Sequence, residues 1–168
     1  VSGNLTGGTG DDNFKLSGNV IGNVLLGAGR NTLVAADVGS VTAGLGDDTV
    51  TAANVGATNL GDGNNKLTVS GNAGVITLGI GNDTVSIGAL GQGNINLGDG
   101  TNKLTNGSGV TGSISAGAGN DSVTLKGSVV GSVALGDGKN ALTASSLIDG
   151  NVTTGTGDDV VKLNGVTG

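Results

Sequence analysis

Polar and apolar residues alternate in short runs along this chain, and the runs end in glycine. Ser122-Val123-Thr124-Leu125 is one such run; after Lys126-Gly127-Ser128 a second carries Val133 and Leu135. Alternation over four to six residues between glycine breaks predicts a half-buried β-strand. No stretch repeats its apolar residues at helical spacing, and glycine at this density would melt a helix. The runs recur with a loop between them. A pattern Gly-x-Gly-x-(Asp/Asn)-x-apolar begins at Gly8, Gly27, Gly44, Gly61, Gly79, Gly98, Gly117, Gly136 and Gly155, in steps of 19, 17, 17, 18, 19, 19, 19 and 19 residues. Each unit therefore reads strand, turn, strand, loop, which makes one coil.

A single coil cannot bury its aliphatic face, whereas stacked coils can, each pairing with the next by parallel β hydrogen bonds. The pattern predicts an all-β fold, a parallel β-solenoid (β-roll or β-helix) of about nine 17–19-residue coils, with residues 1–168 as a single repeat domain. At about 4.8 Å per coil the rod is roughly 43 Å long. The expected inward ladder is Phe14, Leu33, Val50, Leu67, Val85, Leu104, Val123, Leu142 and Val161; a second runs Leu26, Ala43, Leu60, Leu78, Leu97, Ala116 and Leu135.

Composition narrows the chemistry. Phe14 is the only aromatic residue, and without Cys or His the chain can build neither a disulfide nor a zinc site of the usual kind. Six lysines and one arginine face thirteen aspartates and no glutamate, for a net charge of −6. An acidic chain without stacking rings is not expected to bind nucleic acid. Membrane insertion is not expected either, since no apolar run reaches the length of a span. The exclusive use of the shorter acid suits backbone turns or a tight oxygen cage. Eleven of the thirteen aspartates lie in the repeated loops, all but Asp37 and Asp149. Stacking sets these carboxylates about 4.8 Å apart in a row. A hard dication that gathers carboxylate and carbonyl oxygens would relieve their repulsion.

The loops resemble those of the RTX family of calcium-binding β-rolls, whose nonapeptide is Gly-Gly-x-Gly-x-Asp-x-apolar-x. Gly7-Gly8-Thr9-Gly10-Asp11-Asp12-Asn13-Phe14-Lys15 matches it throughout. The 19-residue step is similar to RTX-like solenoids with one calcium loop per coil, a form found in bacterial adhesins and in some ice-binding segments. The resemblance implies Ca2+ as cofactor, held by backbone carbonyls with Asp12, Asp48, Asp83, Asp121 and Asp159. Asn31, Asn65, Asn102 and Asn140 would be neutral neighbours, with Asp62, Asp99 and Asp137 adding charge. It also implies an extracellular or cell-surface location, where calcium is abundant.

Two departures stand out. The first glycine of the pair is mostly replaced. The fifth loop position alternates strictly, Asp12, Asn31, Asp48, Asn65, Asp83, Asn102, Asp121, Asn140, Asp159, so the chemical repeat is two coils long. Asp and Asn then share an ion between successive loops, or ions sit at every other interval. Alternatively, both supply only turn geometry and a side-chain ladder.

The pairs Asp11-Asp12, Asp47-Asp48 and Asp158-Asp159 belong to a repeated loop without a pocket, so enzymatic activity is not expected. An outward row of Thr51, Thr68, Ser86, Thr105, Thr124 and Thr143 keeps an ice- or surface-binding module open as the alternative function. The chain shows no atypical capping unit at either end, and its two ends occupy the same point in the repeat. The expected partners are thus copies of itself end to end, as a homopolymer, or flanking repeats of a longer protein. Taken together, the sequence points to a calcium-stabilised structural rod: a filament subunit, or an adhesin or matrix stalk.

Overall fold

The computed structural model describes residues 1–89 and 91–167. It is a parallel β-solenoid of about nine coils without a helix. Every strand pairing among the described residues is parallel and joins one coil to the next. Leu5–Thr9, Val20–Ala28, Asp37–Ala43, Asn54–Asn59, Ile76–Thr77, Ile95–Asn96, Ile114–Ser115, Val133–Ala134 and Val152–Thr153 form a nine-stranded sheet. The facing sheet has eleven strands. Nine follow the loops, from Asn13–Lys15 to Val160–Thr167, and two shorter ones, Val110–Thr111 and Val129–Val130, join through the long strand Ala141–Asp149.

The first predicted ladder is realised rung by rung. Phe14 pairs with Leu33, Leu33 with Val50, Val50 with Leu67, and so on through Val85, Leu104, Val123 and Leu142 to Val161. From Leu33 to Leu142 these side chains are buried, while Phe14 is half-buried and Val161 is exposed on the last coil. Leu26, Leu60, Leu78, Leu97 and Leu135 of the second ladder are buried too, with Ala43 and Ala116 packed against them. A third inward ladder runs Val24, Val41, Thr58, Ile76, Ile95, Ile114 and Val133. Thr58 is its one polar member, and its buried hydroxyl has no hydrogen-bond partner.

Coil length explains where the strand pattern departs from two runs per coil. In the 17-residue coils the second run is continuous, as in Asp37–Ala43 and Asn54–Asn59. In the later 19-residue coils it splits, Val129–Val130 being divided from Val133–Ala134 at Gly131, whose φ of 143° no side-chain-bearing residue adopts easily. The first coil absorbs its two extra residues differently. Val20–Ala28 pairs with Asp37–Ala43 through two register shifts, between Val20 and Asn23 and between Leu25 and Gly27.

Candidate functional site

The loops stack into one edge of the rod, where three lines of side-chain hydrogen bonds tie each loop to its neighbours. The third-position glycines make this close stacking possible. At Gly119, φ is 142° and a Cβ would collide with the carbonyl oxygen of Gly100 in the loop below.

The fifth position points inward. Asn31, Asp48, Asn65, Asp83, Asn102, Asp121 and Asn140 are all at least 98% buried, whereas Asp12 and Asp159, in the end coils, are half-buried. These residues form a continuous cable. The backbone N–H of each donates to Oδ1 of the next: Asp12 to Asn31 (3.0 Å), Asn31 to Asp48 (2.9 Å), Asp48 to Asn65 (2.9 Å), and Asn65 to Asp83 (2.7 Å). The same bond continues from Asp83 to Asn102, Asn102 to Asp121, Asp121 to Asn140, and Asn140 to Asp159, at 2.8–2.9 Å. The side-chain ladder that the alternating pattern allowed is therefore present.

The second atom of each carboxamide or carboxyl separates the two loop types. Oδ1 of each asparagine accepts an N–H, so Nδ2 faces the loop interior and donates to carbonyls: Asn65 to Gly61 and Gly63 (both 3.1 Å), Asn102 to Gly98 (3.2 Å) and Gly100 (3.4 Å). Asn31 reaches Gly29 and Asn140 reaches Gly136 in the same way. At the aspartates that position holds Oδ2, which cannot donate when ionised. Oδ2 of Asp48, Asp83 and Asp121 is buried and has no hydrogen-bond partner. Burial drives all three carboxyls above the ordinary carboxylate range, Asp83 to about 6, against the lowering effects of the backbone N–H and the side-chain carboxamide of the preceding asparagine, Asn31 for Asp48, Asn65 for Asp83 and Asn102 for Asp121. A neighbouring carboxylate adds to the rise: Asp47 for Asp48, Asp62 for Asp83, Asp99 for Asp121.

The first loop shows what is missing from the others. Its Gly8 N–H donates to Asp12 Oδ2 at 3.1 Å. The matching N–H groups of Gly44, Gly79 and Gly117 donate instead to the carbonyls of Gly27, Gly61 and Gly98 in the preceding coil. Stacking thus takes away the donor that would have satisfied the acid.

The remaining loop acids lie on the outside. Asp62 accepts from the N–H of Ile80 (2.8 Å), Asp99 from Ala118 (2.9 Å) and Asp137 from Thr156 (2.8 Å). The fourth position forms a third line, from Asn64 N–H to Asp47, Asn82 to Asn64, Thr101 to Asn82 and Lys139 to Asn120. In both outer lines a side chain accepts from the coil above, opposite in sense to the buried cable. These hydrogen bonds hold the carboxyls of Asp47 and Asp137 below the usual range. Arg30 with Asp47 and Lys139 with Asp158, both 3.7 Å apart, are exposed ion pairs of small weight. The fourth-position line was open to sequence reasoning, because Asp11, Asp47, Asn64, Asn82, Asn120 and Asp158 share that place in the repeat.

The residues that the RTX resemblance assigns to calcium thus fall into two sets. No group of three or more acidic side chains converges on one point among the described residues. What remains at Asp48, Asp83 and Asp121 is one buried carboxylate oxygen each without a hydrogen-bond partner, the kind of oxygen a hard cation takes. Asp48, Asp83 and Asp121 fit such an ion. Asp62, Asp99 and Asp137 are exposed and already hydrogen-bonded through Oδ1.

On the loop-following sheet, Thr51, Thr68, Ser86, Thr105, Thr124 and Thr143 stand in register across six successive coils, beside a row in which Lys66 and Lys103 interrupt Thr49, Thr84 and Ser122. The opposite sheet carries a shallow recess of about 240 Å³, lined by Ser40, Thr42, Ala57, Asn59, Val75 and Thr77 among others and without a titratable side chain. Comparison of the chain with protein-family models, with curated proteins and with solved structures returned no match.

Proposed function

We propose that this chain is a structural element, a stiff β-solenoid rod stabilised by calcium and placed outside the cell as part of a stalk, matrix or filament. The observation that carries the reading is the set of buried oxygens of Asp48, Asp83 and Asp121 that have no hydrogen-bond partner. An ionised carboxylate in that position costs several kcal/mol unless something positive reaches it. Asp48, Asp83 and Asp121, with the carbonyls of their loops, would hold the ion, and calcium would supply the positive charge and the many-oxygen coordination the loops lack. The chain's own part is to position those oxygens: β pairing fixes each loop and its glycines bring the carbonyls close. Binding to the folded form alone would then link stability to calcium concentration, which favours an extracellular setting. End-to-end contact with further repeats, of another copy or of a longer chain, extends the same parallel pairing.

The test is thermal unfolding and negative-stain imaging of the chain in millimolar calcium and in excess chelator. We expect straight, narrow particles in calcium and a melting temperature that drops by well over ten degrees on chelation. An unchanged melt in chelator overturns the calcium reading, and compact round particles overturn the rod. The in-register Thr/Ser row favours a second reading, a surface- or ice-binding module. Ice shaping by the same preparation, lost when Thr68, Thr105 and Thr124 are made bulky, would put that reading first.

A further inference from the structure

The Asn and Asp loops differ in more than one atom. In the Asn loops the first glycine is left-handed, with φ of 83°, 68°, 74° and 73° at Gly27, Gly61, Gly98 and Gly136. In the loops of Asp48, Asp83 and Asp121 the corresponding Gly44, Gly79 and Gly117 lie outside that region. Gly155, beside Asp159 in the last described coil, has φ of 72° and follows the Asn form. The left-handed turn accompanies a carbonyl that receives Asn Nδ2, as at Gly61, Gly98 and Gly136. The same carbonyls of Gly61 and Gly98 also accept the N–H of Gly79 and Gly117 from the next coil.

An Asn carboxamide brings two N–H donors to a cluster of carbonyl oxygens. That is electrostatically what a cation does for such a cluster, without a net charge. We infer that the carboxamides of Asn31, Asn65, Asn102 and Asn140 are built-in substitutes for an ion. Loops that fill themselves alternate with loops that need a divalent cation, so the described stack takes three ions, at Asp48, Asp83 and Asp121. The inference rests on the calcium reading and fixes its stoichiometry and spacing. Ions would lie two coils apart, roughly 10 Å, instead of in adjacent loops. Each would have an uncharged asparagine at the fifth position above and below, so no two ions occupy adjacent loops and their mutual repulsion falls with the doubled spacing. Asp12 falls outside the set because the N–H of Gly8 already serves its Oδ2.

The inference predicts that an amide can replace an ion at the acid loops. The triple variant Asp48→Asn, Asp83→Asn, Asp121→Asn should fold without metal. Its melting temperature in chelator should equal or exceed that of the unaltered chain in calcium, and calorimetric titration with calcium chloride should lose the three sites found in the unaltered chain. The reverse variant Asn65→Asp, Asn102→Asp makes the acid row continuous from Asp48 to Asp121. It should bind more calcium and melt lower in chelator than the unaltered chain. If the unaltered chain binds no calcium and ignores chelator, the calcium reading itself fails. If it binds calcium at every coil interval, or if the triple variant stays calcium-dependent or melts lower in chelator than the unaltered chain, the division of labour between Asn and Asp fails while the calcium reading stands.

Discussion

Single atoms decide most of what distinguishes this rod from a generic stack of aliphatic coils. Asp83 Oδ2 is buried without a donor, and its carboxyl is held near 6 against an ordinary 3.8. A raised folded value means that the folded chain binds a proton more tightly than the unfolded one, so the ionised group penalises folding above pH 6. The penalty shrinks as pH falls through about 6 and is gone below about 3.8. Asp48 and Asp121 act in the same direction. The lowered carboxyls of Asp47 and Asp137 act oppositely, losing stability as pH falls below the usual carboxylate range. In chelator the chain should therefore melt higher near pH about 4.5 than near pH about 7.5; a melt that only falls on acidification would show that the buried oxygens are already satisfied at neutral pH. Thr58 poses a simpler case. Its hydroxyl is buried without a partner in a ladder of Val and Ile. Thr58→Val should raise stability by about 1 kcal/mol, read as a higher denaturant midpoint with an unchanged slope.

At the scale of the element, the loop is the most constrained part of the coil. Gly119 combines a left-handed φ with contact against the Gly100 carbonyl, so Gly119→Ala must both strain its own backbone and push the loop below. It should cost more than about 1 kcal/mol, while Gly18→Ala, which meets nothing within 4 Å, should be close to neutral. Equal effects on the unfolding midpoint would show that loop stacking is not under this constraint. The loops were also the element most legible in the sequence, since Gly-x-Gly-x-Asx recurs at every coil. The strands were legible as alternation, but their division was not. Val129–Val130 and Val133–Ala134 read as one run until the left-handed φ of Gly131 separates them, and glycine in a sequence does not announce which sign of φ it takes.

For the molecule as a whole, stability is carried by nearest-neighbour pairing along one axis, so each coil is as stable as its two interfaces allow. The sequence by itself determined the period, the parallel stacking, the inward ladder from Phe14 to Val161 and the strict Asp/Asn alternation. Each follows from a repeat whose aliphatic positions can be buried only by a copy of themselves. Only the tertiary structure decided what the alternating side chains touch. Position five shares the inward parity of the strand that follows it, Asp121 with Val123 and Leu125, but the partners of its side chain come from the coils above and below. Once the chain turns it inward, Oδ1 of Asp48, Asp83 and Asp121 accepts the N–H of the preceding asparagine and the first-glycine N–H of each of these loops is drawn to the preceding coil. One oxygen in each of these three loops is then left without a partner, a consequence of stacking that no single coil contains.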